Sequence, residues 1–257
     1  MQKKLNQKAL ETIDNFLNLE IAGIKTACPY FNNKRANIRA GLKVKVGKGS
    51  PEEIEQEVKV LAKKKGVNLK EFDESDLRKF MIDNNIAIDC SGFAYYVLNA
   101  QYQQEHEVEL KKNLSFKRKS LIRIIISHFR PITNTNVKLL SDENNSKKVE
   151  LRRVNPGNFI SIKGYGAKNK KDHIAVINSV DYKDNSPETI SCVHSFRWSS
   201  DGKYEGGVRR FKIKIDDLNS DITKQTWIEK GEENEDNETY LAASSAQKTE
   251  IRELTFF

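Results

Sequence analysis

Residues 88–98 read Ile-Asp-Cys-Ser-Gly-Phe-Ala-Tyr-Tyr-Val-Leu and place a cysteine where a loop turns into an amphipathic helix. Backbone N–H groups at the start of a helix carry partial positive charge, which favours the thiolate over the neutral thiol. The thiolate is the nucleophilic form of cysteine. Cys90 is therefore the first candidate for a chemical role in this chain.

A nucleophilic cysteine normally needs an imidazole to accept its proton, and two histidines lie in strand-like runs. His173 opens the apolar run 173–177, and His194 lies inside the run 190–196. Both runs are rich in β-branched residues, and the turn-like segment 181–188 separates them, so we expect two antiparallel neighbours. A helix that carries the thiol and packs on this sheet could use one histidine as base and the other as its orienting partner.

Four segments around these residues resemble the NlpC-type peptidases, a papain-like family of bacterial cell-wall cysteine endopeptidases. The family has Asp-Cys-Ser-Gly-Phe at a helix start, a Pro-Gly turn into a strand, a strand that begins with His, and a strand with a third polar residue. The matching segments here are Asp89–Phe93, Asn155–Phe159, Asp172–Ile177 and Val193–Ser195. The resemblance covers about residues 86–215. It implies Cys90 as nucleophile, His173 as general base and His194 as the group that orients the base.

The resemblance also implies a fold and a substrate. The fold would be α+β and papain-like, with N-terminal helices, including the nucleophile helix, packed on an antiparallel sheet. The substrate would be an amide bond in a peptidoglycan fragment or a similar small peptide. Asp89 and Ser91, which flank the nucleophile, are assigned to substrate binding. Tyr30 joins them because the segment 73–85 lacks the tyrosine that the family usually has before its cysteine.

Two other functions stay open beside hydrolysis. The same triad could serve an acyltransferase or a deamidase, because an amine can resolve an acyl-enzyme as well as water can. The chain could also be a catalytically idle, basic binding protein on the same fold, since free cysteine is among the most buried residue types. Thiol reactivity separates the enzyme from the binding protein, and product analysis separates hydrolase from transferase.

The remaining cysteines and histidines receive structural interpretations. The chain has three cysteines without a Cys-x-x-Cys pair, so we predict no disulfide framework, no metal site and no cofactor. Cys28 and Cys192 are predicted to be structural. His106 and His128 lie in polar or basic surroundings and are predicted to be on the surface.

The order of elements, helices before strands, predicts one catalytic domain with additions. We assign residues 1–85 to a helical N-terminal region and 86–215 to a catalytic core with an inserted basic segment, 101–154. Residues 216–257 form a C-terminal extension with an acidic loop at 229–238.

Local signals predict the individual elements. The helices are expected within 1–23, from the capping box at Ser50 to Gly66, from Asp73 or Ser75 to about Asn85, and from the cysteine to about Tyr102. The strands are expected at 158–163, 173–180, 189–196 and 207–215, with a further one at 250–257.

Charge and hydrophobicity limit the partners. The net charge is +8, and residues 111–130 and 32–49 carry seven and six Lys or Arg without a carboxylate. Such patches can bind an anionic ligand, although most are solvated faces, and without a recognisable motif nucleic acid is an unlikely partner. We expect no membrane span and no signal peptide, which indicates a cytoplasmic chain. The family resemblance instead implies an extracellular or cell-wall location, if a leader is missing.

Overall fold

Helices pack on an antiparallel sheet, which confirms the predicted α+β class. The computed structural model describes residues 1–31, 43–116 and 131–257. The helices are α1 (Gln7–Leu17), α2 (Pro51–Lys65), α3 (Glu74–Asp83), α4 (Cys90–His106), α5 (Pro131–Asn134), α6 (Val137–Leu140) and α7 (Glu238–Ser244). Within the described ranges, no helix is both long and apolar enough to cross a bilayer.

Side-chain caps determine where the main helices begin. The Ser50 hydroxyl accepts from the Glu53 backbone and the Glu53 carboxylate accepts from the Ser50 backbone, the predicted capping box. Asp73, rather than Ser75, caps α3. Helix α4 runs about one turn beyond the predicted end at Tyr102, and a left-handed Glu107 (φ 57°) terminates it.

The strands are β1 (Gln2–Lys4), β2 (Leu19–Ile21), β3 (Ile24–Thr26), β4 (Ser146–Lys148), β5 (Phe159–Tyr165), β6 (Lys171–Lys183), β7 (Ser186–Phe196), β8 (Gly207–Lys214), β9 (Thr226–Glu229), β10 (Glu232–Glu233) and β11 (Lys248–Leu254). The main sheet has the order β10-β9-β8-β7-β6-β5-β11-β4, with β1 paired to β6. Strands β2 and β3 form a separate hairpin.

The predicted antiparallel pairing of the two histidine strands is confirmed, with Ile177 opposite Cys192. Both strands are longer than expected because the connection is a tight turn rather than a loop. Asp184 and Asn185 have φ values of 50° and 61°, as a two-residue hairpin turn with left-handed residues requires. The hairpin therefore fixes the register of the strands that carry His173 and His194.

The sheet is buried on both faces. Ile174, Val176 and Val193 join the core cluster that contains helices α1 and α4, whereas Ala175 and Cys192 belong to a second cluster. Strands buried on both faces lack a clean polar alternation, which explains their nearly continuous apolar sequences.

All three predicted regions contribute strands to this one sheet. Strand β1 comes from the N-terminal region and β4 from the insertion. Strand β11, from the C-terminal extension, lies between β5 and β4 and ends at Leu254 instead of the predicted 257. The helix expected within 1–23 is α1, but β1 and β2 flank it.

The predicted acidic loop and the two predicted basic patches have different outcomes. The acidic segment 229–238 is not simply a loop, because Glu229 ends β9 and is 1% exposed, and α7 begins at Glu238. Most of the two basic patches, together with His128, lies in residues 32–42 and 117–130, outside the described residues. His106 is exposed, as predicted.

Candidate active site

Cys90 is the first residue of α4, which is the helix-start position predicted from the sequence. Its neighbour Asp89 caps the helix, since Oδ1 accepts the backbone N–H of Gly92 at 2.6 Å. An Asp cap satisfies an N–H group that the first helical turn leaves unpaired. The cap thus fixes the start of α4 at Cys90.

A buried lysine completes this helix start. Lys48 is 5% exposed, and its Nζ lies 2.7 Å from Oδ1 of Asp89 and 2.6 Å from Oγ of Ser91. Asp89 and Ser91 were assigned to substrate binding, and here both engage this internal network. What the contacts establish is a role in holding the helix start, and a role in substrate binding stays a prediction.

The loop that carries Lys48 runs very close to α4. A Cβ added at Gly92 would lie 2.7 Å from the carbonyl oxygen of Gly47, a separation that backbone atoms cannot tolerate. The close packing against Gly47 therefore explains why glycine occupies position 92, despite its low helix propensity.

We expect Gly92→Ala to destabilise the protein by about 1–3 kcal/mol, because the overpacking exceeds the propensity gain. Urea unfolding measures the loss. Gly66→Ala is the control, since a Cβ there meets no atom within 4 Å and pays only for a left-handed φ of 66°. If Gly92→Ala unfolds at or above the wild-type midpoint, the close approach is wrong.

The two predicted histidines form a buried pair. Nε2 of His173, near the start of β6, lies 2.9 Å from Nδ1 of His194, near the end of β7. The side chains are 1% and 0% exposed. Burial, then the charges of His194 and Arg209, lower the pKa of His173 well below 6.5, so the pair is neutral at pH 7.

Cys90 lies beside the strand residue that follows His173. The backbone N–H groups of Ile174 and Ser91 face its sulfur. In the described part of the chain no hydrogen bond joins Sγ to an imidazole. The structure therefore brings His173 and His194 into direct contact and brings Cys90 next to the His173–Ile174 peptide without closing the thiol–imidazole bond. Such bonds are often long in the absence of substrate.

The environment of the thiol corrects one expectation. Burial, and next the negative charge of Asp89, raise the pKa of Cys90 to about 12, although Lys48 acts in the opposite direction. The helix start does not yield a resting thiolate. Cys28 and Cys192 are 0% exposed and burial also raises their pKa values, so a raised pKa does not distinguish Cys90 from them, and their structural role stays a prediction.

Sequence reasoning missed a carboxylate that contacts His194. Oε1 of Glu229 lies 3.3 Å from Nε2 of His194 and 2.5 Å from Nε of Arg209. Burial alone would raise the pKa of Glu229, but His194 and Arg209 outweigh it and hold the pKa below its usual value. The sequence carries a signal for this residue, because the alternation in β9 puts Glu229 on the same face as the buried Trp227.

Asp201 secures the arginine from its other side. Oδ2 of Asp201 lies 2.7 Å from Nη1 of Arg209, and Oδ1 lies 2.6 Å from Nζ of Lys230. The Arg209 guanidinium also stacks over the Trp198 ring at 5.1 Å. The buried charges are therefore paired, as the desolvation of ions requires.

A cleft of about 530 Å³ lies near the histidine pair, although Cys90, His173 and His194 are not among the residues that line it. The Phe196 ring, which lies 4.5 Å from the His173 ring, forms part of its wall. Tyr30 lines the same cleft and contacts Phe196 edge-on at 6.4 Å. Other lining residues are Tyr165, Lys171, Arg197, Trp198 and Glu238. The third residue assigned to substrate binding thus lies in a cavity that adjoins the histidine pair.

The histidine pair should make stability depend on pH. A histidine whose pKa is lowered in the folded state binds its proton more readily when unfolded, so stability falls as pH drops below 6.5. The loss is at most about 1.4 kcal/mol per pH unit for each histidine. We expect the urea midpoint to decline between pH 6.5 and about 5.5, above the range in which carboxylates titrate. His173→Asn should reduce this slope. An unchanged slope in His173→Asn would contradict the assigned shift.

Within residues 1–31, 43–116 and 131–257, no group of three or more His, Cys, Asp or Glu side chains is arranged to hold a metal ion.

Comparison with protein families, curated proteins and solved structures finds no significant match to the chain.

Proposed function

We propose that the protein is a cysteine hydrolase with a papain-like catalytic core, which cleaves an amide bond through Cys90, His173 and His194. The observation that carries the proposal is the 2.9 Å hydrogen bond between Nε2 of His173 and Nδ1 of His194. It occupies one ring nitrogen of His173 and leaves Nδ1 for the thiol. Cys90, at the start of α4, lies beside Ile174, the residue that follows His173, and supplies the nucleophile.

The reaction follows from these positions. Sγ of Cys90 attacks the amide carbonyl while Nδ1 of His173 accepts the thiol proton, and the imidazolium then protonates the leaving amine. The backbone N–H of Cys90 stabilises the oxyanion. Water resolves the acyl-enzyme, again with His173 as base. The resting thiol and imidazole are both predominantly neutral, so most of the proton transfer accompanies the attack on the substrate.

The cleft supports a peptide substrate. Its walls contain aromatic rings from Tyr30, Tyr165, Phe196 and Trp198, which offer flat apolar surface. Lys171 and Arg197 add positive charge at the same cavity. A short peptide with a free carboxylate, such as a peptidoglycan fragment, fits this combination of surfaces.

The test is product analysis with purified protein and a panel of peptidoglycan peptides and unmodified short peptides in water enriched in ¹⁸O. Hydrolysis gives two fragments, with ¹⁸O in the new carboxylate, whereas deamidation releases ammonia and acyl transfer joins an added amine. Cys90→Ala is the blank, and Cys192→Ala is the matched cysteine control. Peptide binding without any turnover would overturn the hydrolase proposal in favour of an idle binding protein.

A further inference from the structure

Behind the histidine pair, the buried groups form a continuous polar chain. It runs from His173 on β6 to His194 on β7, then to Glu229 on β9 and Arg209 on β8. All of these side chains except Arg209 are at most 1% exposed. Each link joins a different strand, so the chain connects β6, β7, β9 and β8 and ends at the Asp201–Arg209 ion pair.

The chemistry of Glu229 sets the direction of every hydrogen bond in this chain. An ionised carboxylate can only accept, so Nε2 of His194 must carry the proton that it donates to Oε1. A neutral imidazole then has an unprotonated Nδ1, which accepts from Nε2–H of His173. Nδ1 of His173 is consequently the unprotonated nitrogen. That is the form a general base needs.

The opposite ionisation would reverse the chain. A protonated Glu229 would donate to Nε2 of His194, His194 would donate through Nδ1 to His173, and Nδ1 of His173 would carry a proton. His173 could then no longer accept the thiol proton. The charge that faces Glu229 favours the productive direction, since Nε of Arg209 lies 2.5 Å from Oε1 and, together with His194, holds the pKa of Glu229 below its usual value.

We propose that Glu229, held ionised by Arg209, is a positioning residue that sets the tautomers of His194 and His173 and so makes His173 a base. This inference rests on the proposed function, because it assigns a group that acts through its triad. Arg209 has its own anchor in Asp201, which keeps the guanidinium in place. When His173 takes the thiol proton, the Glu229 charge also stabilises the imidazolium through His194.

The chain offers a matched control for a buried Glu–Arg pair. Glu250 on β11 is 8% exposed, and its Oε2 lies 2.9 Å from Nη1 of the fully buried Arg252. In the described residues it has no hydrogen bond or ion pair with Cys90 or either histidine. Glu250→Gln therefore removes a comparable charge from the same sheet without touching the proposed site.

The experiment compares Glu229→Gln, Glu229→Asp and Glu250→Gln by ¹⁵N NMR of the histidines and by iodoacetamide labelling of Cys90 at pH 7.5. Glutamine lacks the charge and can donate as well as accept, so Glu229→Gln should raise the fraction of His173 that carries its proton on Nδ1. It should also slow labelling by about 10- to 100-fold, the range for groups that orient a functional histidine. Glu229→Asp keeps the charge and should keep the wild-type tautomer, and Glu250→Gln should change labelling less than about twofold.

The outcomes separate two failures. If His173→Ala leaves Cys90 labelling unchanged at pH 7.5, the proposed triad itself is wrong. If His173→Ala slows labelling but Glu229→Gln retains the wild-type tautomer and rate, the triad stands and the role of Glu229 is overturned. If Glu229→Gln does not fold, Glu229→Asp and Arg209→Gln decide. A wild-type tautomer in Arg209→Gln would then remove the arginine from the proposal.

Discussion

Cys90→Ala is expected to abolish amide hydrolysis, and His173→Ala to lower kcat by at least about 10³-fold, whereas His194→Ala should retain more activity than either. Cys90 forms and breaks the bond to the acyl group, and His173 moves the proton at each step. His194 acts only through the 2.9 Å hydrogen bond to Nε2 of His173, so its loss disturbs orientation and tautomer. The measurement is initial rate on any peptide that the wild-type protein cleaves.

The chain supplies controls for both residue types. Cys192→Ala removes a fully buried cysteine of the second core cluster, and His106→Ala removes an exposed histidine at the end of α4. Neither should lower kcat by more than about twofold, since surface and remote changes act mainly on stability. Wild-type activity in His194→Ala would exclude His194 from the site, and a wild-type rate in Cys90→Ala would exclude Cys90 as the nucleophile.

The fold was predictable where local signals act over a few residues. The Ser50 capping box, the Asp73 cap and the β-branched runs at His173 and His194 each specify their element from nearby residues alone. Pairings between distant segments carry no such signal. The pairing of β1 with β6 joins residues about 180 positions apart, and the insertion of β11 between β5 and β4 depends on the completed core.

The sequence was sufficient to predict those site residues that lie in a recognisable motif or at the start of a strand. Cys90, His173 and His194 stand in such positions, and the structure puts the two histidines in contact. Glu229 was missed although the alternation in β9 puts it on the face of the buried Trp227, and Lys48 could not be assigned, because its local sequence says only that it is charged. The raised pKa of Cys90 was missed for the same reason, since burial of the helix start is a tertiary property.

The labelling rate of Cys90 as a function of pH should show whether His173 acts on the thiol. A thiol with a pKa of about 12 on its own gives a thiolate fraction, and a labelling rate, that rises tenfold per pH unit through the neutral range. A neutral imidazole that accepts the thiol proton adds a second route. Its population of thiolate–imidazolium does not depend on pH between the two pKa values.

We therefore expect the wild-type rate to be flat around neutral pH and to fall only well below pH 6.5, where His173 becomes protonated. His173→Ala should lose the flat region and rise about tenfold per pH unit from pH 7 to 10, so that the two curves converge at high pH. Peptide mapping by mass spectrometry measures the rate at each cysteine. Of the three, Cys90 should react first, because it is 8% exposed whereas Cys28 and Cys192 are fully buried.

Two results would contradict this account. Superimposed curves for the wild type and His173→Ala, both rising tenfold per pH unit, would show that the imidazole does not reach the thiol in solution. In the wild-type protein, labelling of the fully buried Cys28 or Cys192 before Cys90 would contradict the assignment of Cys90 as the nucleophile. A flat region present in the wild type and absent from His173→Ala is the expected result, because only a proton shared between Sγ and Nδ1 leaves the total charge of the pair unchanged as it moves.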